Sequence, residues 1–276
     1  TSPGGLRRRA VTGSGRSGVL TAGSQTWELT RRSVVGERRQ LLSVMPGLIF
    51  PLLLAAVYTK QFSRVLDMPG FPEVDSFLDF ILPACIVQAV SFGATAAGSE
   101  LALDIENGFL DRLLASPVAR WPILLGRLAG AAVVASVKTI VILALFLVFG
   151  AQVAGGPGAM LVLVVVAALL VLVIGGLAQV MAFRTGSQEA VGATFPLIFV
   201  SIFMSSAFFP TNLMSGWFKV VAENNPLSWI INPVRRLVIN GWSSADALQA
   251  LGLPAVLAAV SISAAVVALN RRLATP

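Results

Sequence analysis

Long uncharged runs limit what this chain can fold into more than any other feature. Phe80 to Ser99, Ala159 to Phe183, Ala190 to Phe209 and Ala247 to Asn270 carry no charged side chain, and neither does Gln40 to Thr59; Leu128 to Phe149 carries only Lys138. A helix needs about 20 apolar residues to cross the hydrocarbon of a bilayer, and each of these runs is long enough. Backbone in lipid has to satisfy its own hydrogen bonds, so runs of this kind cross as helices. Only 12% of the 276 residues are charged, against roughly a quarter in a soluble domain. The expectation is an all-α membrane protein with six transmembrane helices.

The runs differ in detail. The first contains Pro46 and Pro51 and is expected to kink. The second half of the second, Ser91 to Ser99, is built of small residues, a face that lets another helix come close. Between the fifth and sixth runs, Pro210 to Asp246 is long and apolar, with Trp217, Phe218, Val220 and Val221 before Asn225-Pro226, and Trp229, Ile230 and Ile231 before Asn232-Pro233. Two short outer helices at or in the interface fit this better than a solvated loop. At the other end of the chain, residues 1–24 are rich in Gly, Ser, Thr and Arg and are expected to form a disordered cytoplasmic tail. The stretch from Gln25 to Leu42 has a helical apolar arc interrupted by Arg31 and Arg38, which suits an interfacial helix whose guanidinium groups reach phosphates.

Charge sets the orientation. With the N-terminus inside, fourteen basic residues fall on the inner face and five on the outer (Lys60, Arg64, Lys219, Arg235 and Arg236). That bias predicts a multi-pass protein of the cell membrane with both termini cytoplasmic. The net charge of +7 is thereby explained by topology, and no basic face interleaved with aromatics points to nucleic acid.

The charged stretch Glu100 to Arg127 interrupts this oily sequence as a loop between the second and third spans. Within it Phe109, Leu110, Leu113 and Leu114 fall at helical spacing on one side, with Asp111 and Arg112 on the other. Asn107 reads as an N-cap, and Pro117 stops the helix by removing a backbone donor. A helix this short is marginal alone in water, so it lies on a surface: the bilayer interface or another protein.

Chemistry is constrained by absence. The chain has no His and a single Cys, Cys85, which removes His-based acid-base catalysis, a Cys-rich zinc site and an intrachain disulfide. No G-x-x-x-x-G-K-[ST] pattern occurs, so any ATP that drives this protein binds on another chain. Lys138 is the ionisable side chain deepest in a run, where a charge costs roughly 2.5 to 3.5 kcal/mol, and is a candidate pathway or interface residue. A proton-coupled secondary transporter would want an intramembrane carboxylate at similar depth. A membrane-bound lipid- or glycan-processing enzyme would want clustered acids, for which Glu100, Asp104, Glu106 and Asp111 are the candidates, with magnesium as the metal.

The order Glu106, Gly108, Leu110, Leu113, Leu114, then Ser116-Pro117-Val118, Arg120 and Leu124-Leu125-Gly126-Arg127, resembles the membrane-subunit signature of type-two ABC exporters, in particular the daunorubicin-resistance branch. The span layout extends the resemblance over roughly residues 25 to 272. Members often carry Arg or Lys where Ile105 stands here. The resemblance implies that residues 25–276 form one six-span transmembrane domain and that the loop holds a coupling helix. On and beside that helix, Glu106, Gly108, Phe109, Leu110, Arg112, Leu113, Leu114 and Pro117 would meet a separate ATPase. It further implies two ATPase subunits carrying ATP and magnesium, so that this chain has no cofactor of its own. A second permease, identical or homologous, completes the pathway for a hydrophobic drug, natural product or lipid.

Overall fold

The computed structural model describes residues 41–110 and 120–274, and among these every regular element is helical. The expected tail and interfacial helix fall outside the described residues. The helices are α1 (Leu41–Gln61), α2 (Phe77–Ala94), α3 (Ala96–Glu106), α4 (Arg120–Val148), α5 (Gly156–Thr185), α6 (Gln188–Gly192), α7 (Thr194–Phe203), α8 (Gly216–Asn224), α9 (Pro226–Ile239) and α10 (Ser244–Ala274).

Among the described residues, four stretches are long and apolar enough to cross a membrane: Phe77–Glu106, Leu124–Val148, Gly156–Thr185 and Ser244–Arg272. They correspond to the second, third, fourth and sixth uncharged runs. The first and fifth runs form shorter apolar helices, Gly47–Gln61 and Gln188–Phe203. In the fifth, the chain breaks at Ala193 between α6 and α7, so this run is two pieces rather than one rod.

α2 is the post of the bundle. It packs against α1, α4, α5, α7 and α9, and nearly all its residues are buried. Ser76 starts it, its side-chain oxygen accepting from the Leu78 N–H at 3.2 Å. The Asp79 carboxylate in the first turn accepts from the Gln152 N–H at 2.7 Å, fixing the start of α2 to the loop between α4 and α5. The helix then breaks at Thr95 and continues as α3.

The small-residue run expected to allow close packing does so at Gly98, where a β-carbon would lie 2.5 Å from that of Ala178 on α5. Two hydrophobic cores result. The larger runs along α2, α4, α5 and α9. The smaller gathers Ala97, Leu101, Ile105, Leu110, Leu124, Phe183, Val191 and Leu269 at the end of the bundle from which the charged loop leaves.

At the opposite end α8 and α9 precede the last span. Asn225 and Pro226 form their junction for clear physical reasons. The Asn225 side chain accepts from the Leu227 N–H at 2.9 Å and donates to the carbonyls of Ser201 at 2.8 Å and Met204 at 3.1 Å. It thus caps α9 and ties it to the end of α7, while Pro226 occupies the first helical turn, where no donor is needed.

Candidate functional site

The charged loop hangs from α3 and is narrower than the sequence suggested, because Glu100 to Glu106 continue the second span as helix and α4 already begins at Arg120. The Asn107 N–H donates to the Leu103 carbonyl at 3.0 Å and the Gly108 N–H to the Ile105 carbonyl at 3.0 Å. Gly108 has φ +65°, and helical backbone resumes at Phe109. Asn107 therefore closes α3 rather than capping the next helix. Asn suits both places, and the left-handed residue that follows it decides between them. A β-carbon on Gly108 would meet nothing within 4 Å, so within this chain its need for glycine is conformational.

The four described residues of the expected coupling set divide. The Glu106 carboxylate accepts from the Gln188 N–H of α6 at 2.7 Å, joining the base of the loop to the turn after α5. Leu110 is 2% exposed and sits in the smaller core, whereas neighbouring Phe109 is 44% exposed. Arg112, Leu113, Leu114 and Pro117 lie outside the described residues. Ile105, where the resembling family often has a cation, is at the edge of burial, and its Cγ2 would lie 3.3 Å from a β-carbon on Gly186. The position is an apolar contact here.

Arg127 locks the two walls of the loop together. Its Nη2 donates to the Asp104 carboxylate, and its Nη1 lies 4.0 Å from Glu100 Oε2. Glu100 and Asp104 thus share one guanidinium, while Glu106 turns to Gln188 instead. Among the described residues, no group of three or more His, Cys, Asp and Glu is placed to hold a metal ion.

Lys138 is 8% exposed on α4, and its Nζ lies 3.0 Å from where a β-carbon on Gly93 would stand. The ammonium therefore lies beside the last turn of α2, just before the break at Thr95, where the negative end of the helix dipole favours a cation. The glycine leaves the room that this requires.

Two further features escaped the sequence pattern. A chain of half-buried rings runs along α7 and its neighbours. Its centroid separations are 5.7 Å for Phe50–Phe92, 5.0 Å for Phe92–Phe195, 6.0 Å for Phe195–Phe199, and 4.8 Å for both Phe199–Phe203 and Phe203–Phe208. The phenylalanines of 195, 199 and 203 recur every fourth residue, a spacing that was legible but indistinguishable from core. Arg235, counted above as an outer-face charge, is 6% exposed. Burial draws its guanidinium down to about 9, so it stays charged at neutral pH. Nothing in the order of residues around Arg235 signals this, because its neighbours come from α2 and from the turn after α7.

The comparisons with known proteins agree with this architecture. The profile described as ABC-2 type transporter matches residues 24–239. A daunorubicin resistance ABC transporter permease protein of Streptomyces coeruleorubidus is 27% identical over 243 residues, covering 86% of this chain and 83% of that protein. A probable doxorubicin resistance ABC transporter permease protein of Mycobacterium tuberculosis is 25% identical over 218 residues, covering 79% of this chain and 78% of that one.

Proposed function

Since this chain belongs to the ABC-2 type transporter family and is the multi-pass membrane permease subunit of an ABC exporter, we propose that the loop after α3 is its coupling element. In this reading the loop docks on a separate ATPase and passes that subunit's motion to the spans. The observation that carries it is mechanical. Glu106 bonds to α6, Arg127 bonds to α3, and Leu110 is buried in a core shared by α3, α4, α5, α6 and α10. A push on the loop is therefore delivered to several spans at once rather than absorbed in a slack linker.

The finer assembly follows from this reading. Two ATPase subunits bind ATP and magnesium, and a second permease, identical or homologous, completes the pathway. α1 and the broken α6–α7 segment make up six spans, with both termini and the loop on the cytoplasmic side. The cargo is hydrophobic: a drug, natural product or lipid. The half-buried ring chain along α7 supports that choice, since aromatic faces attract flat apolar molecules without asking for charge. The reading is tested by expressing the chain with and without its ATPase. The purified chain alone should hydrolyse no ATP, and the pair should co-purify and drive ATP-dependent efflux. Hydrolysis by the isolated chain, free of contaminants, would refute it.

A further inference from the structure

At the end of the bundle remote from the loop, a cavity of about 250 Å³ opens beside α9, lined among others by Phe80, Thr211, Asn212, Asn232, Arg235 and Asn240. Arg235 is its charged wall. Nε donates to the Phe80 carbonyl at 3.1 Å, Nη2 to the Ala207 carbonyl at 2.6 Å and Nη1 to Asn232 Oδ1 at 3.4 Å, and the guanidinium carbon lies 3.8 Å from the Phe80 ring centroid. Every one of these partners is neutral. Among the described residues no carboxylate forms an ion pair with Arg235. The other cation at the rim, Arg236, is neutralised by Asp246, to which its Nε donates at 2.7 Å.

A guanidinium has five N–H groups, and these bonds leave one free on each terminal nitrogen. Asn232 Oδ1 is already occupied, accepting from Ser206 Oγ at 2.7 Å as well as from Arg235. What Asn232 can still offer is its amide N–H groups. The lining thus combines donors with an uncompensated positive charge and contains no carboxylate. Burying such a charge is costly unless an anion arrives to pair with it. A clamp alone would need the hydrogen bonds and not the charge.

We propose that this cavity binds a phosphate group, supplied by a phospholipid headgroup. Arg235 provides charge and an N–H group left over on each terminal nitrogen, the kind of donor that phosphate oxygens accept from. The source follows from the surroundings. Trp217, Trp229 and Trp242 stand exposed on this same end of the molecule, and tryptophan collects at the level of lipid headgroups. The proposal rests on the cavity and is independent of the coupling reading.

The test uses the full chain, delipidated in a maltoside detergent and titrated with dihexanoyl phosphatidylglycerol, with inorganic phosphate, or with a neutral diacylglycerol, read by tryptophan fluorescence and thermal melting. Arg235→Gln removes the charge but also cuts the clamp and can unfold the chain, so Asn232→Asp carries the argument. It is isosteric, keeps the oxygen that accepts from Ser206 and Arg235, and places a resident carboxylate against the guanidinium. Binding should fall at least tenfold in Asn232→Asp while the melting temperature holds or rises. Saturable binding confined to the phosphatidylglycerol arm supports the headgroup; binding in the inorganic phosphate arm as well supports the phosphate site and assigns the free ion as a source. Equal binding of diacylglycerol, no saturable binding of either phosphate, or undiminished binding in Asn232→Asp would overturn the proposal.

Discussion

A β-carbon on Gly98 would sit 2.5 Å from that of Ala178, whereas one on Gly108 would meet open space at a φ of +65°. These are different demands on the same residue type, and they fail differently. Gly98→Val has to push α3 off the α5 backbone, where nothing flexible can yield, at a cost of about 1–3 kcal/mol or more. Its membrane abundance and melting temperature should both fall. Gly108→Ala has room for its methyl but holds a left-handed conformation that costs about 1–2 kcal/mol in an L-residue. Because the turn is at the edge of the bundle, abundance should stay near normal while ATP-dependent efflux drops, and Gly108→Asn should recover part of the loss. Equal abundance defects in Gly98→Val and Gly108→Ala would show that the two positions are under one constraint after all. The run Ser91 to Ser99 announced a close approach in the sequence; which glycine makes it, and which glycine is needed for its φ, depends on backbone that the sequence leaves open.

At the scale of elements, the long apolar helices were legible because lipid imposes one rule on every residue of a span, and composition alone satisfies it. Caps are local matters of side chain and adjacent N–H groups, yet those at Ser76 and Asn225 were not anticipated, and the one that was, Asn107, closes α3 instead. What was not legible came from packing between distant segments. The break at Ala193 divides a run that is uniformly apolar, so no change in composition marks it. Arg235 looked like one more interfacial charge, yet its bonds run to Phe80 and Ala207, far away in sequence. Orientation of the elements is open to direct test. In a Cys85→Ser background, single cysteines at Ser116 and Ser244 should differ toward an impermeant thiol reagent added to whole cells. Ser244, exposed at the start of α10, should label and Ser116 should not. The reverse pattern would invert the membrane orientation proposed above.

For the whole molecule the decisive question is whether force enters through the loop after α3, and the unequal burial of two adjacent residues allows it to be asked cleanly. Leu110 belongs to the chain's own core and Phe109 faces outward. An aspartate at Leu110 would leave an unpaired charge inside the permease, which costs several kcal/mol, so Leu110→Asp should reach the membrane poorly. Phe109→Asp puts the same charge on the accessible side, where the isolated permease can hydrate it. Its abundance should therefore be near normal. If the ATPase covers this face, however, the charge becomes buried on assembly, and a penalty of only about 3 kcal/mol would already weaken association by roughly a hundredfold. Leu113→Asp, one turn further along the sequence pattern, should behave as Phe109→Asp does rather than as Leu110→Asp. The three variants are to be compared side by side for membrane abundance, co-purification of the ATPase and efflux. Should Phe109→Asp and Leu113→Asp both retain full ATPase association and efflux, the loop is a connector between spans, and the ATPase must engage the permease elsewhere.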